Sequence, residues 1–306
     1  MASLTGNRFC RICASSALEE WRVPCDVPIW RCRSCGARLA LRAPSAALLR
    51  ERYEEEHRSG KWKKVLEQTL EAEIERRAVL TTRLVERSEP GRLLDVGFGD
   101  GRFLDAMKRL GWKTMGTEIA HAATSLGAEM HARIVGELEA LKEAPLFDVI
   151  SFFDVLEHLP EPAHALREAR ARLRENGIVV VTMPNLWGTT SVSAGSRWRY
   201  YDFAAYGHIH HLAPRHIREL FRRAGLEPVY EETRGSVNLR DLPTMYGLTA
   251  PSGAVAWVLD KASGLLSRVV EPLRFGNTLL AAARTANRGR NDTPRIAASS
   301  RREEAE

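Results

Sequence analysis

Between Gly91 and Pro184 five short apolar runs, RLLDVG, KTMGTEIA, ARIVGEL, FDVISFFD and GIVVVTMP, alternate with segments of helical period. This alternation constrains the fold more than any other feature, because strand–helix–strand repeats bury their strands in a parallel sheet covered by helices on both faces. LEPVYEET and GNTLLAAARTA add two strands, so the chain reads as a doubly wound α/β sheet. Its first strand runs into LLDVGFGDGRFL, where Gly97, Gly99 and Gly101 permit a tight turn and close ligand approach before a helix begins. The glycine spacing is GxGxG, and Arg102 stands where a dinucleotide fingerprint has its third glycine. The Lys-Ser/Thr pair of a P-loop is absent from the stretch, and Asp95 and Asp100 would repel a pyrophosphate. The same carboxylates attract a sulfonium or an ammonium, and the rings of Phe98, Phe152 and Phe153 are candidates to favour the sulfonium, with core packing as their alternative role. Glu118 closes the second strand, where an acid accepts hydrogen bonds from ribose hydroxyls.

At 306 residues the chain exceeds one ordinary domain, which implies a main domain with smaller additions. Four of its five cysteines form two knuckles, Cys10-x-x-Cys13 and Cys32-x-x-Cys35, at zinc-ribbon spacing. Four thiolates close a tetrahedral Zn²⁺ site, so the ion is expected to be structural; Cys25 is left over, and disulfides or reduced thiols are the alternatives. MASLTGNRFC lacks the apolar segment of a signal peptide and no run approaches bilayer length, so a cytoplasmic location is expected. The net charge of +6 bears on solubility and encounter more than on fold. Residues 1–42 read as the ribbon, 43–89 as a helical linker or cap with Trp62, Leu66, Leu70 and Ile74 on one stripe, 90–286 as the main domain, and 287–306 as a disordered tail.

Together LLDVGFGDGRFL, Glu118 in GTEIA, FDVISFFDVLEHLPEP, NGIVVVTMPN and GHIHHLAPRHIRELFRRAGL resemble the class I S-adenosylmethionine-dependent methyltransferases of small-molecule type, over Gly91 to Leu226. The resemblance implies a Rossmann-like, seven-stranded methyltransferase sheet with S-adenosylmethionine as cofactor. It implies contact of Asp95, Gly97, Gly99 and Gly101 with the methionine part, Glu118 with the ribose, Glu137 and Leu138 with the adenine edge, and Asp154 with the cofactor near its methyl. With a zinc ribbon in front, the chain is also similar to sugar C-methyltransferases, whose Tyr/His-Glu-His segment supplies a base. YDFAAYGHIHH lies in that place, with His208 matching the catalytic histidine and Gly207 standing for the glutamate. That departure, and the absence of the family's large C-terminal domain, favours a hydroxyl over carbon. DVLEHL is shared with methyltransferases of ubiquinone biosynthesis, which implies that a lipid-like phenol is also a candidate acceptor.

The expected acceptor is a hydroxyl, or a carbon, of a small molecule such as a sugar, a phenol or a lipid-linked metabolite. Base and amide N-methyltransferases carry Asn/Asp-Pro-Pro-Tyr where this chain has FFDVLEH. Nucleic acid is disfavoured as a partner because the ribbon lacks dense alternation of Lys/Arg with aromatics. The alternatives are an RNA methyltransferase whose ribbon binds RNA, and a cofactor-binding module without turnover. His208 is the first candidate base, with His210 and His211 beside it, His158 from DVLEH as second choice, and Tyr206 positioning substrate. These imidazoles have alternative roles, as partners of loop backbone or as metal ligands with Asp202 the nearest acid. An amphipathic helical insertion is placed at 248–275, with Val255, Val258, Leu259, Ala262, Leu265, Leu266, Val269 and Val270 opposite Asp260, Ser263, Ser267, Arg268 and Glu271. It reads as a lid packed on the domain, or as an interfacial helix making peripheral membrane contact through 255–275. Nothing in the sequence fixes an oligomeric state.

Overall fold

The structure is a computed structural model and describes residues 9–21, 27–40, 51, 54–55, 71–119, 132–135, 145–235, 239, 243 and 248–285. All seven expected strands form. They are β4 (Arg92–Val96), β5 (Lys113–Glu118), β6 (Ala132–Val135), β7 (Phe147–Phe153), β8 (Leu173–Pro184), β10 (Leu226–Arg234) and β11 (Thr278–Thr285). They make one sheet in the order β10-β11-β8-β7-β4-β5-β6, parallel from β8 to β6, with β11 antiparallel to both neighbours. The near-continuous apolar run of β7 is explained by its place: Phe147 to Phe152 are all buried, as a central strand covered on both faces requires. Strand order reverses between β4 and β7, and open α/β sheets bind ligands beyond the strand ends at such a switch point.

Helix α1 (Glu71–Leu84) buries Ile74 and Ala78, and α2 (Arg102–Arg109) buries Phe103, Leu104, Ala106 and Met107, all in one cluster with Leu93 and Val149. Lys108 and Arg109 occupy the last turn of α2, where the helix dipole favours positive charge. Next come α3 (Pro162–Arg172), the short α4 (Thr189–Ala194) and α5 (Phe203–Tyr206), then α6 (Pro214–Arg223) and α7 (Gly253–Val270). Proline opens α6, where its missing N–H loses no helical bond, and Gly225 follows with φ 73°. Trp62, Leu66, Leu70, the adenine-edge candidates Glu137 and Leu138, Cys25 and the tail 287–306 lie outside the described residues.

The cysteine knuckles sit on a second sheet, β1 (Leu18–Trp21), β2 (Ile29–Cys32) and β3 (Arg38–Ala40), whose fourth strand is β9 (His210–His211) of the main domain. Arg38 pairs with His211 and Leu39 with His210. Cys10, Ile12, Cys32 and Leu39 share a buried cluster with Leu212, Ile217 and Phe221 of the segment that follows β9. Buried His216 adds a specific tie. Its Nδ1 accepts the Ala213 N–H at 2.8 Å, which leaves its Nε2–H to donate to the Cys35 carbonyl at 2.8 Å.

Helix α7 corrects one expectation. Its small side packs inward, with Ala256, Ser263 and Ser267 buried, while Val255, Val258, Leu265 and Val269 are more than half exposed. The inward serines stay satisfied locally, Ser263 Oγ donating to the Leu259 carbonyl at 2.6 Å and Ser267 Oγ to that of Ser263 at 2.6 Å. The helix is therefore not a lid packed through its apolar stripe. Among the described residues no helix is long and apolar enough to cross a membrane.

Candidate active site

The loop after β4 and the turn after β7 meet at the switch point. Gly97 needs its φ of 73°, and a Cβ there would stand 2.7 Å from Val155 Cγ2, so the loop is pressed against the β7 turn. Asp95, next to last in β4, is 3% exposed, and Ser151 Oγ on β7 donates to its Oδ1 at 2.7 Å. Burial dominates the carboxyl's titration and lifts it from 3.8 to about 7, with nearby Glu118 and Asp100 adding to the rise against the opposing Ser151 bond and Arg77. Glu118 ends β5, accepting the Gly99 N–H at 3.2 Å and the Ile119 N–H at 2.8 Å. Asp100 instead pairs with Arg102, Nε to Oδ2 at 2.6 Å.

Arg77 of α1 reaches the end of β7. Its guanidinium is 3.5 Å from Asp154 Oδ2, 3.2 Å from Glu73 Oε1 and 5.2 Å from the Phe153 ring. Asp154 is exposed at the end of β7 with a left-handed φ of 58°, an uncommon conformation for a residue other than glycine. Of the candidate aromatic walls, Phe98 and Phe152 are core residues, and Phe153 is half-buried with its ring against Phe103 at 4.6 Å.

The 3₁₀ turn Leu156–His158 and the GHIHH segment form the opposite wall. The Ile209 N–H donates to the Glu157 carbonyl at 2.9 Å, and His158 Nδ1 lies 3.1 Å from the Gly207 carbonyl. Since a carbonyl only accepts, Nδ1 carries the hydrogen and a neutral His158 presents a lone pair on Nε2. The His158 and His208 rings meet edge to face at 4.6 Å. Tyr200 stacks on His208 at 5.0 Å, and Tyr206 closes the cluster 4.8 Å from Tyr200. Behind them Glu157, 2% exposed, places Oε1 3.9 Å from His208 Nε2. Burial pushes that carboxyl well above its ordinary range, with Asp154 adding to the rise.

The structure thus brings His158, His208 and Tyr206 together and sets His210 and His211 toward the ribbon. His210 Nε2 lies 3.0 Å from the Leu159 carbonyl, and His211 packs on Tyr201 at 4.6 Å. Burial lowers both to about 3, so they are neutral at physiological pH. The sequence reading passed over Glu157, Arg77, Ser151 and Tyr200. Of these only Glu157 carried a sequence signal, as the acid beside His158 in DVLEH.

The four cysteines form a closed cage. Cys10 and Cys35 sulfurs lie 3.7 Å apart, those of Cys13 and Cys32 3.6 Å, and all four within 4.8 Å of one another. Sulfurs ~2.3 Å from one tetrahedral ion stand about 3.8 Å apart, so the cage fits Zn²⁺.

The acid-flanked glycine loop at the switch point of a seven-stranded sheet with one reversed strand defines a class I S-adenosylmethionine-dependent methyltransferase fold. A family model described as a methyltransferase domain matches residues 56–231, and the chain belongs to that family. The ubiquinone biosynthesis O-methyltransferase of Ruegeria pomeroyi is 30% identical over 151 residues, 45% of this chain and 60% of that protein. That of Bordetella avium is 26% identical over 150 residues, 45% and 62%. The matched segment therefore spans about three fifths of these curated relatives. Among solved structures, a SAM-dependent methyltransferase from Archaeoglobus fulgidus superposes with a TM-score of 0.51 at 17% identity, covering 71% of this chain and 95% of that one. The 1,6-didemethyltoxoflavin-N1-methyltransferase of Burkholderia thailandensis, solved with its substrate and S-adenosylhomocysteine, gives 0.52 at 16%, covering 88% and 100%. At these identities the likeness is one of fold.

Proposed function

We propose that this chain transfers the methyl group of S-adenosylmethionine to a hydroxyl group of a small molecule. One observation carries the reading: at the switch point the acid-lined glycine loop is pressed against the turn after β7, which brings Glu157 and His158 beside His208. Asp95 and the glycines take the methionine part, Glu118 the ribose and Asp154 the region of the methyl. Arg77, anchored on Asp154, is placed for the cofactor's carboxylate. The sulfonium methyl is already activated, so the remaining task is to hold the acceptor oxygen in line with sulfur and remove its proton. His208 stands where that proton leaves, with Tyr200 and Tyr206 shaping the acceptor's seat. Relatives named for O-methylation support oxygen over carbon. The Cys10, Cys13, Cys32 and Cys35 cage holds one zinc that fixes the ribbon against α6, with the domains divided near 42, 89 and 286. The outward apolar face of α7 is what a peripheral membrane contact through 255–275 requires, and liposome flotation with and without that helix tests it.

The reaction is tested by incubating enzyme and a small-molecule extract with methyl-labelled S-adenosylmethionine, followed by mass spectrometry. One metabolite gaining the label in an enzyme-dependent manner is the expected result. Label in bulk RNA alone would favour the RNA reading, and cofactor binding without any labelled product would favour a module without turnover.

A further inference from the structure

Glu157 presents an unsolved electrostatic problem. It is 2% exposed, and among the described residues neither of its carboxylate oxygens has a hydrogen-bond partner. A buried carboxylate without donors or a counter-charge is strongly disfavoured. His208 Nε2 is the nearby candidate, but 3.9 Å is too long for a hydrogen bond. Arg77 pairs with Glu73 and Asp154 instead.

The surroundings suggest what is missing. One donor atom from each of Glu157, His158 and His208 lies within 4.8 Å of the other two. Ligands ~2.1 Å from a shared ion stand about 3.0–3.5 Å apart, which this cluster reaches by a small inward movement. The support is of the kind that orients metal-binding imidazoles, with the Gly207 carbonyl holding the Nδ1–H of His158. The Ile209 N–H to Glu157 carbonyl bond fixes the two ligand-bearing segments to each other.

We propose that Glu157, His158 and His208 bind a divalent cation at the acceptor end of the cleft. Two imidazoles and one carboxylate suit a first-row divalent ion such as Mn²⁺, Co²⁺ or Zn²⁺, whereas the thiolate cage of the ribbon is the softer site. The ion's role rests on the methyl-transfer reading; its binding does not. Bound to the ion, an acceptor hydroxyl loses its proton to water more readily. The resulting oxygen forms the new C–O bond while the C–S bond breaks, its electron pair remaining on sulfur. His208 then acts as a ligand, and the ion takes over the task of a lone base.

Mn²⁺ is the probe, added to protein whose ribbon retains its zinc and followed by electron paramagnetic resonance. The expected result is one bound Mn²⁺ per chain with nitrogen modulation in the spin-echo spectrum, the sign of imidazole ligands. Glu157→Gln and His208→Gln should each weaken binding by more than about tenfold, the loss that removing a mere supporting residue already causes. Exposed His164→Gln should not change it. Retained S-adenosylhomocysteine affinity shows that the variants are folded. Mn²⁺ binding with nitrogen modulation that vanishes in both folded variants sustains the site whether or not an acceptor is found. Methyl transfer without specific Mn²⁺ binding overturns the site and leaves the proposed reaction standing. Binding that is equal in the folded variants also overturns it, because the ion then sits elsewhere.

Discussion

Asp95 makes cofactor binding a proton-linked event. Its carboxyl is buried and accepts a Ser151 bond, and burial pushes it from its ordinary 3.8 up to about 7. At 1.36 kcal/mol per unit, the cleft favours the protonated form by ~4 kcal/mol relative to water. Between about pH 4 and 7 the folded chain keeps this proton while the unfolded chain has lost it. The native state then binds more protons, so this group's contribution to stability falls as pH rises through that window and levels off above 7. A sulfonium and an ammonium beside Asp95 favour the ionised form, so binding should expel the proton. Affinity for S-adenosylmethionine should therefore rise as pH increases from 6 toward 8, by up to about tenfold per unit below 7. Calorimetry at pH 6 in two buffers of different ionisation enthalpy should show release approaching one proton per cofactor bound. Asp95→Asn should abolish that release and flatten the thermal midpoint between pH 5 and 7. A wild-type binding enthalpy independent of buffer would refute the placement of Asp95 beside the cofactor's positive charge.

Other variants separate the remaining roles. Glu118→Ala should weaken S-adenosylhomocysteine binding by ~1–3 kcal/mol through lost charge-assisted hydrogen bonds, and unchanged calorimetric affinity would reject the ribose assignment. Cys32→Ser removes one sulfur of a cage built into the shared core, so zinc by elemental analysis should drop from one per chain toward none. A destabilisation of about 2 kcal/mol would lower the melting temperature by roughly 4–8 °C, and full zinc occupancy in this variant would contradict the ligand set. His208→Ala should lose about 10²-fold or more in turnover with nearly unchanged cofactor affinity. Single-turnover transfer at the wild-type rate would remove His208 from the chemistry.

The strands were legible because each is a short apolar run between breakers, and β7 could be read through its whole length for that reason. The cysteine cage was legible because four thiols at that spacing have few other uses. The two-residue β9 was not, since a His-His pair carries no alternation, and its partner Arg38–Leu39 lies far away in sequence. Periodicity cannot say which side of α7 packs: the small residues Ala256, Ser263 and Ser267 face inward, while Asp260 and Arg268, grouped with the two serines by period, are exposed. Glu157 stood in plain view beside His158, but a glutamate in a charged stretch reads as solvated. Only the fold shows that the turn after β7 carries it under His208.

Everything proposed for the site requires that the loop after β4 hold S-adenosylmethionine or its product. Native mass spectrometry of the purified chain with S-adenosylhomocysteine tests it most directly, with Gly97→Val as the control because its side chain would meet Val155 and force a disfavoured φ. One S-adenosylhomocysteine per wild-type chain and none on the folded variant is the expected result; a folded wild-type chain with no adduct at saturating ligand would rule the loop out as the cofactor site.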